Sequence, residues 1–129
     1  DTLRHNKKTT PFSGTCAILD QYNNAVWFSK NIIPAIRKEE TLRTQSHLSP
    51  VFRHIGLYGY SRELLEQYVT WPPSHYEQLE GLEQLRVLQQ GHSIRCVKVS
   101  SSRPTLSGVD SPEDIKRAEA LIAEHGEML

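Results

Sequence analysis

The sequence is short of several features that would sort it quickly. It has two cysteines, one methionine and no net charge, with fifteen basic residues set against fifteen acidic ones. Without a one-sided basic stripe, a nucleic-acid surface or an anionic-membrane surface is not expected. The longest apolar runs are far too short to span a bilayer, so no membrane insertion is expected. No charged leader runs into an apolar segment near Asp1, so no secretion signal is expected. Cys16 and Cys96 come with no C-x-x-C motif and no matched histidine set. They read as two buried thiols in a reducing compartment, and a disulfide between them stays open. The six histidines lack zinc-like spacing, and there is no P-loop, G-x-G-x-x-G or G-x-S-x-G.

What is present suits a globular domain: 129 residues, 37% hydrophobic and 23% charged. Thr15 to Leu19 and Ala25 to Ser29 read as strands of a hairpin around Asp20-Gln-Tyr-Asn-Asn24. Trp27 and Phe28 are adjacent, so a strand would point them to opposite faces, one for the core and one for an interface. Asn31 to Phe52, with Pro34, Pro50 and Arg37-Lys-Glu-Glu40, reads as a long surface connection. His54 to Tyr60 alternates like a strand, with Ile55 and Leu57 on the core side.

Helix signals dominate the second half. Ser61 can cap a helix to about Val69, stopped by Pro72-Pro73. Ser74-His-Tyr-Glu77 is a capping box opening a helix expected to run to Gln90, with Gly91 as its stop. Ile94 to Val99 reads as a strand. Asp110-Ser-Pro-Glu-Asp114 opens a last helix ending near Gly126. Strands alternating with helices predict an α/β fold.

Several polar residues sit where chemistry is conceivable. On a continuous helix, Glu83 and Arg86 fall within an apolar arc, three residues apart and able to touch. They form a structural ion pair, or else Glu83 and Gln84 face a ligand. His54 and Tyr58 lie on one strand face with only Gly56 between them. Both side chains can donate and accept hydrogen bonds, which suits a polyhydroxylated ligand and equally a half-exposed sheet face. Asp110 is either an N-cap or a magnesium ligand. Lys30 and Arg37 could clamp a carboxylate, or belong to a solvated basic loop.

Taken together, Ala25-Val-Trp-Phe-Ser-Lys30 with Ile33-Pro34, His54-Ile-Gly-Leu-Tyr-Gly-Tyr60, Leu82-Glu-Gln-Leu-Arg86 and Gly108-Val-Asp-Ser-Pro-Glu-Asp114 resemble the second half of the 3-deoxy-manno-octulosonate cytidylyltransferase (CMP-KDO synthetase) family. The resemblance covers roughly Thr15 to Leu121. It implies the C-terminal part of a three-layer α/β/α nucleotidyltransferase fold of the nucleotide-diphospho-sugar transferase type. It also implies Mg²⁺-dependent transfer of CMP from CTP to the acid sugar KDO, with release of pyrophosphate, for lipopolysaccharide synthesis by a homodimer.

Carried over by position, His54, Tyr58, Glu83 and Gln84 match sugar-binding residues, and Arg37 a residue gripping the sugar acid. Asp110 matches one of two metal-binding aspartates, at the catalytic centre. Lys30 stands where the family usually has arginine, which keeps the charge but loses the planar fork. The family's CTP-binding N-terminal half is not recognisable within residues 1–129. The expectation is therefore a single partial domain carrying the sugar pocket and dimer contacts, inactive alone. Two alternatives are a binding or assembly module without catalysis, and a cytidylyltransferase for a related 2-keto acid sugar.

Overall fold

The structure, a computed structural model, describes residues 14–45, 50–99 and 112–126. The chain divides into two units, Asp1–Val97 and Lys98–Leu129. The first holds a three-stranded sheet in the order β2-β1-β3, from β1 (Cys16–Leu19), β2 (Ala25–Ser29) and β3 (Phe52–Arg53). Both pairings are antiparallel.

The predicted hairpin forms, and its turn is built by one carboxylate. Asp20 accepts the backbone N–H groups of Tyr22 and Asn24, both at 2.8 Å, and the Asn24 side-chain amide at 3.1 Å. Asn23 takes the left-handed conformation, at φ 63°, that asparagine tolerates better than most residues. Hydrogen bonds led by that from the Asn24 backbone hold the Asp20 carboxyl below its ordinary range.

In the β1–β2 register Ile18 faces Trp27 but Leu19 faces Ala25, leaving Val26 as the extra residue of a bulge. The bulge turns Ala25 to the same face as Phe28, Ala17 and Leu19. Ala17, Ala25 and Phe28 form the core with Leu82 and Leu85, and Leu19 packs against them. Phe28, only 1% exposed, lies at its centre. Trp27 meets Tyr76 edge to face, with ring centroids 5.1 Å apart. Phe28 is thus the core-facing member of the pair, while Trp27, half-buried against Tyr76, lies on the other face.

Among the described residues, five helices follow or interrupt the strands. α1 (Glu39–Gln45) lies within the stretch expected to be irregular. Glu39 and Glu40 sit in its first turn, where the helix dipole favours negative charge. α2 (Arg62–Tyr68) starts where Ser61 predicts, with the Ser61 hydroxyl accepting the Leu64 N–H at 3.2 Å. α5 (Pro112–His125) is the last helix, and Gly126, at φ 77°, closes it in the second unit.

The helix expected over 75–90 is two helices. α3 (His75–Glu80) opens with the Ser74 N–H donating to the Glu77 carboxylate at 2.8 Å, as a capping box requires. It ends at Gly81, whose left-handed backbone (φ 63°, ψ 40°) cannot continue a helix. α4 (Gln84–Gln89) then restarts the chain in a new direction, and Gly91, at φ 80°, stops it.

Two expected strands shorten or vanish. After His54 gives its N–H to the Thr15 carbonyl at 2.9 Å, the Leu57 N–H turns back onto the Ile55 carbonyl at 2.8 Å. Such an i to i+2 turn ends the ladder at Arg53. Ile55 is exposed and Leu57 is 88% exposed, so neither lies on a core side. The expected strand at Ile94–Val99 is reduced to a single bridge between Asn24 and Arg95. Bonds from Ala25 N–H to the Ile94 carbonyl and from Cys96 N–H to the Asn23 carbonyl flank it. The hairpin turn ends there, so among the described residues the segment finds no further β-partner. Both cysteines are free thiols, Cys16 buried and Cys96 half-buried.

Candidate functional site

The residues beyond β3 form the first part of the site. The Tyr58 hydroxyl and the His54 Nε2 lie 2.6 Å apart, a short hydrogen bond. The imidazole stands edge-on to Phe28 at 5.3 Å between centroids, so the core sets its orientation. Burial lowers the His54 pKa below the usual 6.5, and burial, reinforced by Tyr60 and Cys96, raises that of Tyr58. Near pH 7 both groups are neutral. With one bond spent between them, the pair together keeps a donor and an acceptor for a neighbouring group. A Cβ at Gly56 would meet only the His54 Cε1, at 3.8 Å, and one at Gly59 would meet nothing within 4 Å. The segment therefore leaves open space beside the pair.

The second part is the α3–α4 turn. Leu82 goes into the core, and Glu83 takes the position just before α4 with its side chain exposed. Gln84 is only 8% exposed, and among the described residues its Nε2 has no hydrogen-bond partner. An unpaired buried amide costs about 1–3 kcal/mol, a cost that a ligand oxygen or a water can remove. The two parts connect through the core, where Phe28 packs with Leu82 and Leu85. They also connect through rings, from Tyr58 to Tyr60 at 6.0 Å and from Tyr60 to Tyr68 at 6.3 Å.

The expected pairing of Glu83 with Arg86 does not occur. The break at Gly81 reorients Arg86, and its guanidinium takes the Glu77 carboxylate in a bidentate grip. The Nε–Oε2 bond measures 2.8 Å, and the Nη2–Oε1 contact completes the fork. Nη1 donates to the Trp71 carbonyl at 3.2 Å, and the guanidinium lies 4.5 Å from the centre of the Tyr68 ring. The Arg86 hydrogen bonds hold Glu77 well below the usual carboxylate range. No sequence signal pointed to this pair, because its members are nine apart and face each other only once the helix breaks.

The remaining candidates are placed less centrally. The Lys30 backbone N–H donates to Glu80 at 2.9 Å, and its ammonium stands 3.9 Å from where a Cβ on Gly81 would be, next to the turn that carries Glu83. Glu80 also accepts the Ser29 hydroxyl at 2.8 Å, fixing β2 to the end of α3. Arg37 is exposed in the turn ahead of α1, and nothing described brings it to the His54–Tyr58 pair. Asp110 lies outside the described residues. Among the described residues, no three His, Cys, Asp or Glu side chains come together so as to hold a metal ion.

A family model described as Cytidylyltransferase matches residues 2–94. The chain belongs to the cytidylyltransferase family. Within that family it is 39% identical over 127 residues to the 3-deoxy-manno-octulosonate cytidylyltransferase of Maricaulis maris, covering 98% of this chain and 47% of the relative. With the enzyme of the same name from Chlorobium limicola it shares 44% over 98 residues, 76% of this chain and 36% of the relative.

A solved structure of CMP:2-keto-3-deoxy-manno-octonic acid synthetase, complexed with CTP, superimposes with a TM-score of 0.69 at 28% identity. That match covers 95% of this chain and 54% of the other. The chain therefore has an α/β nucleotidyltransferase fold. It spans about half the length, or less, of the curated relatives it matches. No helix among the described residues is long and apolar enough to cross a membrane.

Proposed function

We propose that this chain supplies the acid-sugar pocket of a CMP-KDO synthetase, which transfers CMP from CTP to 3-deoxy-D-manno-octulosonate in the cytoplasm for lipopolysaccharide synthesis. The observation that carries the reading is the neutral His54–Tyr58 hydrogen-bonded pair opening beside Gly56. Sugar hydroxyls need neighbours that both donate and accept, and a charged pair would bind them less evenly. The family membership and the names of the relatives support the same substrate.

In the proposed reaction the anomeric oxygen of KDO forms a bond to the α-phosphorus of CTP, the bond to the β-phosphate oxygen breaks, and pyrophosphate departs. The residues of this chain act by position. His54 and Tyr58 hold sugar hydroxyls, the Gln84 Nε2 donates to a sugar oxygen, and Glu83 accepts from a hydroxyl at the rim. Lys30 and Arg37 attract the sugar carboxylate, Lys30 as a point charge and Arg37 from an exposed turn. Holding the nucleophile in place is the larger part of such catalysis. Magnesium enters the proposal through Asp110 alone and would offset charge on the phosphates. The sugar-binding roles do not depend on it. A homodimer belongs to the same reading.

The reading is tested by pyrophosphate release from CTP in the protein that carries this chain. KDO-dependent release, lost on chelating magnesium and in Asp110→Asn, is the expected result. Release without any dependence on KDO would refute the proposed substrate. A 2-keto acid sugar other than KDO that gives faster release would move the assignment to that sugar.

A further inference from the structure

Two six-residue helices cannot hold themselves in place, because helices this short are unstable alone. Yet α3 and α4 present Glu83 and Gln84 from a turn of only three residues, Gly81 to Glu83. Glu80 ties the end of α3 to β2, and Leu82 and Leu85 seat the turn in the core, but one side chain joins α2, α3 and α4 together. The Arg86 guanidinium bonds Glu77 on α3 through two nitrogens and the Trp71 carbonyl, after α2, through the third. Its face covers the ring of Tyr68, the last residue of α2. The Tyr68 hydroxyl then donates to the Glu83 carbonyl, a long bond of 3.4 Å. The guanidinium is thus used on all three nitrogens and on one face.

We infer that Arg86 is a positioning residue that sets Glu83 and Gln84 for the ligand, acting through Glu77 and Tyr68 without touching the ligand itself. The inference rests on the sugar-pocket reading above and assigns that pocket its internal brace. Three features require arginine. A lysine ammonium could meet the Glu77 charge, but it cannot form the fork, reach Trp71 at the same time and lie flat on Tyr68. The unpaired Gln84 Nε2, on the first residue of the helix that Arg86 anchors, is the group whose aim depends on this brace.

The test uses the full chain with Arg86→Lys and Tyr68→Phe. It follows the Glu83 backbone amide and the Gln84 side-chain amide by nitrogen-15 NMR, first without ligand and then with KDO. The expected ligand-free result is a shifted Gln84 side-chain amide and a shifted Glu83 backbone amide, with β1 and β2 amides unchanged. With KDO, the expected result is an affinity at least about tenfold weaker, while without KDO His54→Ala leaves the Gln84 signal where it is. Unshifted Glu83 and Gln84 signals in both variants overturn the inference whatever KDO does. A folded Arg86→Lys protein with wild-type KDO affinity overturns it too. Should Arg86→Lys not fold, Tyr68→Phe decides by the same readouts. Shifted amides in a protein whose parent chain does not bind KDO refute the sugar-pocket reading and leave the brace standing.

Discussion

Glu77→Gln is the sharpest test of what holds the α3–α4 turn. The substitution keeps the shape and opens no cavity, so its cost is electrostatic. In the folded chain the Glu77 side chain is 9% exposed and that of Arg86 is 14% exposed. Removing one partner of a buried pair leaves the other charge uncompensated, which costs about 3–5 kcal/mol. At ~4 °C per kcal/mol for a domain of this size, the midpoint of thermal unfolding should fall by at least about 12 °C.

A second ion pair serves as the control. Arg62 and Glu66 meet at 2.7 Å, as closely as many buried pairs, but with side chains 87% and 63% exposed. Glu66→Gln should cost no more than about 0.5 kcal/mol. The pH dependence adds a signature. The folded pKa of Glu77 lies below its ordinary 4.5, so the pair's stabilisation is complete above about pH 4.5 and is lost as pH falls through the folded pKa. The gap between wild type and Glu77→Gln should therefore be widest at pH 6–7 and close below pH 4.5. Differential scanning fluorimetry across pH 3–8 measures both effects. Equal midpoints at pH 7, or a gap that ignores pH, would refute the reasoning.

Three further outcomes follow from the geometry. Gly81→Ala should destabilise by about 1–2 kcal/mol in urea unfolding, because φ 63° is strained for alanine while the new Cβ meets only the Lys30 ammonium at ordinary contact distance. Phe28→Ala should cost about 3–5 kcal/mol, since it empties the centre of the core and removes the ring that orients His54. His54 should titrate below pH 6.5 by NMR. Its lowered folded pKa means stability is full above pH 6.5 and declines as pH falls through the window beneath it, and Tyr58→Phe should change the imidazole shifts without charging the ring at pH 7.

Much of the fold could be read locally, and the failures share a cause. Asp20 and Asn24, Ser61, Ser74 with Glu77, and Pro112 with Gly126 each act within a few residues of themselves, so their turn, caps and helix ends were legible. The alternation of His54 to Tyr60 was misleading because a period of two says nothing about whether a neighbouring strand exists. Only Phe52 and Arg53 find one on β1.

Gly81 is hard to read as a break because the apolar spacing continues across it, and a glycine inside a helical pattern is ambiguous. That single miss produced the wrong partner for Arg86. The short helix α1 was hidden between Pro34 and Pro50 in a charged run. For the site, His54 and Tyr58 were legible as a pair, although a turn rather than a strand face brings them together. Gln84 was legible as a candidate ligand contact, but its burial and the exposure of Glu83 both depend on the break at Gly81. Asp110 lies outside the described residues, and nothing described brings the exposed Arg37 to the His54–Tyr58 pair.

The measurement that bears most directly on the central claim is calorimetric titration of this chain with KDO at pH 7, beside His54→Ala and Gln84→Ala. The account predicts saturable binding by the parent chain, weakened about tenfold or more by each substitution, with circular dichroism unchanged. No binding by the parent chain, or equal binding by all three, would contradict it.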